Sequence, residues 1–261
     1  MRLDLLLVKK GLCSGRERAK EEIRAGHVWI NGVPETRASR DLPVEADVQL
    51  TSEPLRYVSR GGLKLEKALD EFRIIPAGRI CVDCGASTGG FTDCLLQRGA
   101  ARVYALDVGS GQLSEKLRAD PRVVSMEKFN VRELAPRDLP DVPELAVIDV
   151  SFISLRLILP AVVHTLAENG EVVCLIKPQF EAGRNRVGKK GVVREKAVHF
   201  QVLDELFLFF PTIGLFPEHL TWSPIRGPEG NIEYLCHLRR IPTGEPPDLR
   251  KVVEEAHNAL K

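Results

Sequence analysis

Two rhythms of apolar and polar residues divide the chain near position 58. Before it, Arg2 to Lys10 shows a short helical pattern that stops at Gly11, and a second helix opens at Ser14. The Ser14 hydroxyl is placed to cap the first free N–H groups, with Glu17 three residues later closing a capping box. Ala19 and Ile23 lie four apart on the face this helix buries, and Gly26 ends it. His27-Val28-Trp29-Ile30 reads as a strand, Asn31-Gly32 as a tight hairpin turn, and Val48-Gln49-Leu50 as a returning strand. Residues 1–58 thus form a small α/β unit with little core of its own.

A short linker near Arg56–Arg60 leads into residues 59–261, where the rhythm changes. A helical stretch from Leu63 to Phe72 carries Leu65, Leu69 and Phe72 on one face. Short apolar strands then follow: Ile80–Asp83, Val103–Asp107, Val123–Met126, Leu145–Val150 and Val172–Lys177. Helices at Phe91–Arg98, Gln112–Arg118 and Ile153–Ala167 alternate with them. Buried strands alternating with helices predict an α/β fold built on a doubly wound, mostly parallel sheet. A polar, Gly-rich loop to Val193 precedes an apolar helix, Val198–Phe210, read as core. Two late strands, His219–Trp222 and Ile232–Leu238, and a C-terminal helix close the chain.

Composition narrows the function classes. The formal charge of +1 excludes a uniformly basic nucleic-acid binder but not a basic face. No apolar run reaches the roughly 18 residues of a membrane-spanning helix. The first residues, interrupted by Asp4, do not form a secretory signal. Six scattered cysteines fit reduced thiols and a cytoplasmic protein. Cys81 and Cys84 make a C-x-x-C pair, but they straddle a buried strand and no second pair follows, so no metal site is expected.

The first chemical feature is Asp83-Cys84-Gly85-Ala86-Ser87-Thr88-Gly89-Gly90-Phe91, between an apolar strand and a helix. Glycines there let a ligand approach the backbone, and the helix N-terminus favours an anionic group. Asp107 ends the next strand, where an acid commonly binds a ribose diol. The spacing is not G-x-G-x-x-G, and Asp83 would repel a pyrophosphate, which disfavours NAD. S-adenosylmethionine, with a positive amino group, a ribose and an adenine, suits these residues better; the bland reading is a ligand-free turn. The second feature is a set of charges near strand and helix ends: Lys64, Asp149, Lys177 and Glu233. Glu233 interrupts the late apolar strand, and Lys177, flush against Ile176 and Pro178, is expected to be partly desolvated with a lowered pKa. Singly, each reads as a strand-end charge facing water. The basic, Gly-rich segment around Lys189–Lys196 is either an RNA-contacting loop or a solvated connection, and His164, His219 and His237 have no assignable partner.

The motifs DCGASTGGFTD, ALDVGSGQL, VIDVSFISL, CLIKPQFEAG and GNIEYL, in this order, resemble the TlyA family of FtsJ-type rRNA 2'-O-methyltransferases, which also carry the name hemolysin A. The resemblance spans nearly the whole chain. It implies a Rossmann-like class I methyltransferase fold over residues 59–261, with S-adenosylmethionine as cofactor. It maps a Lys-Asp-Lys-Glu catalytic set onto Lys64, Asp149, Lys177 and Glu233. The donor falls to Asp83, Gly85, Ser87, Thr88, Gly89, Gly90, Phe91 and Asp107, with Asn130 near the adenine. The target it implies is a ribose 2'-hydroxyl, of a cytidine, in ribosomal RNA or a ribosomal subunit.

Residues 1–58 resemble the alpha-L RNA-binding motif, through Arg2-Leu3-Asp4, the helix 14–25 and Gly26–Gly32. Over residues 1–24, seven bases outnumber four acids. Arg16, Lys20 and Arg24 recur every four residues as one helical stripe. With Arg2 and Lys9 they form the expected RNA-binding surface, which attracts phosphates without reading sequence. The chain starts at the Arg2-Leu3-Asp4 motif without a basic extension, which points to the large ribosomal subunit. Two rival classes are a membrane-active hemolysin, lacking the amphipathic or spanning segment it needs, and a non-enzymatic RNA-binding assembly factor, against which the complete four-residue set argues.

Overall fold

The computed structural model describes residues 1–13, 15–51, 56–188 and 190–260. The chain forms two compact units, Met1–Ser59 and Arg60–Lys261.

In the first unit, α1 (Leu3–Lys9) and α2 (Arg16–Arg24) pack beside a three-stranded sheet. Strand β1 (Val28–Ile30) lies between β2 (Val33–Pro34) and β3 (Val48–Leu50), antiparallel to both. The β1–β2 turn is the expected two-residue hairpin, with Asn31 at φ 50° and Gly32 at φ 78°, the pattern that matches strand twist. Leu3, Leu6, Leu7, Ile23 and Val28 are fully buried and make the small core. The start of α2 differs from expectation. Ser14 lies outside the described residues, and the N-cap is Gly15 in extended backbone without a side-chain cap, while Glu17 pairs with Lys20 at 2.5 Å.

The basic stripe is also not three equivalent charges. Asp4 is fully buried at the first turn of α1, and two arginines close on it. Arg2 Nε donates to its Oδ1 at 3.0 Å, and Arg16 Nη2 to its Oδ2 at 3.0 Å. Those bonds, Arg2's foremost, hold the Asp4 carboxyl at a pKa of about 2 despite its burial. Arg2 and Arg16 therefore stitch α1 to α2, whereas Lys9 and Arg24 stand exposed.

The second unit holds α3 (Gly61–Glu71), β4 (Ile80–Cys84), α4 (Gly90–Gln97), β5 (Arg102–Leu106), α5 (Glu115–Arg118), β6 (Val123–Met126), β7 (Leu145–Ile148), α6 (Leu155–Thr165), β8 (Glu171–Ile176), α7 (Pro178–Glu181), α8 (Lys196–Phe209), β9 (Phe216–Trp222), β10 (Tyr234–Arg239) and α9 (Leu249–Ala259). Its seven-stranded sheet has the order β6-β5-β4-β7-β8-β10-β9. The β4–β8 strands pair in parallel, and β10 runs antiparallel to both of its neighbours. Val82, Ile148, Val172 and Tyr234 belong to a core fully covered by side chains. The strand order reverses at β4, so the crevice beyond its C-terminal end is where such sheets take ligands.

Most boundaries shift by a residue or two from the expected spans. Helix α5 is shorter, because Gly111 at φ 66° and the Ser114 N-cap leave Gln112 in the preceding loop. Glu233 lies just before β10 rather than inside a strand. Only one face of α8 is core: Val202, Leu203 and Leu206 are buried while Leu208 is 70% exposed.

His219 and His237 do have partners. Their rings stack 5.4 Å apart, with Nδ1 to Nδ1 at 3.1 Å, against Phe72 at the end of α3. His237 Nε2 lies 3.5 Å from Glu171, whose carboxyl this contact and Arg79 hold at a pKa of about 2. The aromatic stack pins α3 to the β9–β10 edge.

Replacing Asp4 with Asn is expected to destabilise the N-terminal unit by about 1–2 kcal/mol at pH 7, the charge-assisted bonds being lost while the half-exposed arginines return to water. Because the folded-state pKa is depressed, this stabilisation is present above about pH 4 and fades as pH falls through about 2. Urea unfolding followed by Trp29 fluorescence in a Trp222→Phe background, at pH 7 and pH 3, measures it.

Candidate active site

Four charged residues far apart in sequence meet at one end of the sheet. Asp149 directly follows β7 and Lys177 directly follows the parallel neighbour β8; the register pairs Ile148 with Cys174, so Lys177 stands two positions beyond the counterpart of Asp149 and its long side chain spans the offset. Lys177 Nζ lies 2.6 Å from Asp149 Oδ1 and donates to Ser151 Oγ at 2.9 Å. Strand β10 begins opposite the end of β8, Tyr234 pairing with Ile176. In that register Glu233, just before β10, stands opposite Lys177, just after β8. Helix α3 brings Lys64, whose Nζ donates to Glu233 Oε2 at 2.6 Å.

All four are largely withdrawn from water: Lys64 and Lys177 are each 7% exposed and Glu233 is fully buried. Burial disfavours the Lys64 ammonium, but the carboxylates of Asp149 and Glu233 outweigh it and push the pKa up. Two cations and two anions balance, which makes burial tolerable. Gly227 matters here for close approach: a Cβ on it would stand 2.2 Å from Glu233 Oε1. Gln179 Nε2 adds a long donor contact to the same oxygen, 3.4 Å.

Beside this quartet lies the loop after β4. Gly85, at φ 89°, passes so close to the β7 end that a Cβ would sit 2.7 Å from the Asp149 carbonyl oxygen. Asp83 is fully buried beneath the loop. Thr92 Oγ1 donates to its Oδ2 at 2.7 Å, and Oδ1 has no hydrogen-bond partner among the described residues. Burial, with smaller contributions from Asp149 and Asp107, pushes the Asp83 carboxyl up to about 7. Asp107, just after β5, accepts from Ser87 N at 2.8 Å and Gly109 N at 2.7 Å, bracing the loop from its far side. Ser87, Asp107, Gly109 and Gln112 line a narrow cleft there.

A sequence family model described as FtsJ-like methyltransferase matches residues 57–240. The chain belongs to the FtsJ-like methyltransferase family. A second model, the S4 domain, matches residues 1–48. YqxC of Bacillus subtilis is 50% identical over 100% of this chain and 95% of its own. The 16S/23S rRNA (cytidine-2'-O)-methyltransferase TlyA of Mycobacterium tuberculosis is 44% identical, covering 91% of this chain and 89% of its own. A solved structure from Streptococcus thermophilus that carries a hemolysin name is 47% identical, with TM-score 0.82 over 99% of this chain and 96% of its own.

All the charged residues of the quartet and the loop fall inside the FtsJ-like methyltransferase match. Of the other loop residues, Gly89 is the N-cap of α4 and Gly90 its first residue, Thr88 accepts from Ser114 N at 3.2 Å, and Phe91 is buried at 3% exposure. Asn130 is engaged elsewhere: its Oδ1 accepts from Arg132 N at 3.2 Å and its Nδ2 donates to Glu133 at 2.9 Å, capping a short turn.

Sequence reasoning missed Thr92, Ser151, Phe152 and Gln179. Phe152 is 89% exposed at φ 65°, a backbone conformation that bulky side chains rarely adopt, and its ring tilts against Phe180 at 5.0 Å. Its place three residues after Asp149 was the available signal.

Asp83→Asn is expected to stabilise the folded chain, and more at pH 8 than at pH 5. With the folded pKa raised, the stabilisation from neutral Asp83 is complete below about pH 4 and lost as pH rises through about 7. At pH 8 the gain is about 1–3 kcal/mol, the cost of an unsatisfied buried group. Thermal melts of both proteins across this range give the answer.

Proposed function

We propose that this chain transfers a methyl group from S-adenosylmethionine to a ribose 2'-hydroxyl of ribosomal RNA, at a cytidine, in the cytoplasm. The carrying observation is the buried Lys64–Glu233 and Lys177–Asp149 quartet at the mouth of the loop that follows β4.

The residues present fit the donor. Asp83, Asp107 and Asp149 make the loop's surroundings anionic enough that the latter two raise the Asp83 pKa. Such a pocket suits a ligand bearing a sulfonium and an ammonium and repels a pyrophosphate. The unpartnered Asp83 Oδ1 is available to a cationic group, and Asp107 keeps lone pairs for a ribose diol beyond the two backbone bonds it accepts. Ser87, Thr88, Gly85, Gly89 and Gly90 supply the close-approaching backbone; Phe91 and Asn130 serve as supports of the site. When bound, S-adenosylmethionine supplies a methyl group activated by the positive sulfur.

The chain's own work is to orient a weak nucleophile and remove its proton. Lys64, its ammonium favoured by two carboxylates, stays charged and stabilises developing negative charge on the ribose oxygen. Lys177 is then the base that takes the hydroxyl proton. Asp149 and Glu233 hold the two lysines at 2.6 Å each. Phe152 offers an exposed face on which the target base stacks. The unit at residues 1–48, through Lys9, Lys20, Arg24 and the outer edges of Arg2 and Arg16, grips RNA phosphates. The names of the relatives support the choice of ribosomal RNA and cytidine.

For the membrane reading there is only the hemolysin name of relatives; among the described residues no helix is long and apolar enough to cross a membrane.

Lys177→Ala is expected to abolish methyl transfer while donor affinity, by calorimetry, stays within twofold of wild type. Mass mapping of ribose methylation in rRNA from cells with and without the protein identifies the product; identical maps would refute the proposal. Phe152→Ala should lower kcat/KM for RNA about tenfold, the value of one stacked base, without changing donor affinity.

A further inference from the structure

We infer that Ser151 is a positioning residue that aims the Lys177 amine at the ribose hydroxyl. The inference rests on the 2'-O-methyltransferase reading and deepens it. Lys177 Nζ has three directions for hydrogens or a lone pair. One side faces Asp149 Oδ1 at 2.6 Å, and a second donates to Ser151 Oγ at 2.9 Å. A tetrahedral nitrogen fixed on two sides has its remaining direction set by geometry, not by rotation of the flexible side chain. That direction has no hydrogen-bond partner among the described residues.

An ion pair to Asp149 alone would leave the amine free to turn about the carboxylate. Ser151 removes that freedom: with one N–H donated to Ser151 Oγ and the Asp149 carboxylate holding a second side as an ion-pair contact, the lone pair of the neutral amine is held for the incoming hydroxyl. The 2'-O–H bond then breaks, the proton ends on Lys177 Nζ, and the oxygen keeps its electron pair for the new O–C bond, formed as the methyl carbon's bond to the donor sulfur breaks and that bonding pair stays on sulfur.

Ser151 is itself exposed, at the open side of the quartet. Its oxygen accepts from Lys177, so its own hydroxyl proton points elsewhere and is available to an oxygen of the bound RNA. The backbone fixes this placement: Asp149 N donates to the Cys84 carbonyl at 3.0 Å, and the following Phe152 turns the chain away at φ 65°.

The test compares Ser151→Ala and Ser151→Thr with wild type and Lys177→Ala, using full-length protein, S-adenosylmethionine and purified ribosomal subunits. Ser151→Ala is expected to lower kcat about tenfold, the loss of one hydrogen bond, with KM for donor and for RNA within twofold. Ser151→Thr, which keeps the hydroxyl, should restore kcat to within threefold of wild type. Wild-type kcat in Ser151→Ala, a loss confined to KM, or equal losses in Ala and Thr would each overturn the inference. Full activity in Lys177→Ala would overturn the underlying reading as well. An inactive Lys177→Ala beside a fully active Ser151→Ala would overturn this inference alone.

Discussion

Burying charge is the constraint around which the catalytic unit is arranged. An unpaired Lys64, Lys177 or Glu233 in so dry a place would be strongly destabilising, and each is tolerated because an opposite charge lies within hydrogen-bonding distance. The pairing is also cross-linked, since Asp149 acts on Lys64 as well as on Lys177. The sheet exists in the form that satisfies this: β7, β8 and the reversed β10 end together, and α3, pinned by the Phe72–His219–His237 stack, delivers the fourth member.

The loop after β4 obeys the opposite logic. Asp83 is buried with one oxygen unpartnered, and its carboxyl is pushed up to about 7. A fold optimised for stability alone would place an apolar or amide side chain there. The penalty is local and adjoins the quartet, the pattern of a site held ready for a cationic ligand. The two halves touch through backbone: Gly85 against the Asp149 carbonyl.

The architecture was readable because it rests on periodicity. Alternating apolar runs and helices gave the sheet, and Asn31-Gly32 gave the hairpin. The quartet was grouped only through motif resemblance; nothing in local pattern says that Lys64 and Glu233 meet, because that contact depends on strand order and on β10 running backwards. Glu233 was misplaced inside a strand since an apolar run does not show where hydrogen bonding stops. The N-cap of α2 is Gly15, and Ser14, expected to cap the helix, lies outside the described residues. Arg16 looked like a free phosphate ligand because its partner, Asp4, is twelve residues away on another helix. Ser151 and Phe152 were invisible as single letters; one matters through a distance and the other through a positive φ.

The separation of 169 positions between Lys64 and Glu233 has a consequence during synthesis. Until the β10 segment has been made and left the translating ribosome, Lys64 has no Glu233 and β8 lacks its outer neighbour. A nascent chain can complete its N-terminal unit early, from contacts local in sequence, yet has no assembled charge quartet. The unit that matches the S4 domain is thus complete before the quartet is assembled. Closure of so long a loop makes the last step of folding slow relative to helix formation. A chain cut short before residue 233 would lack both Glu233 and the β10 strand that pairs with β8.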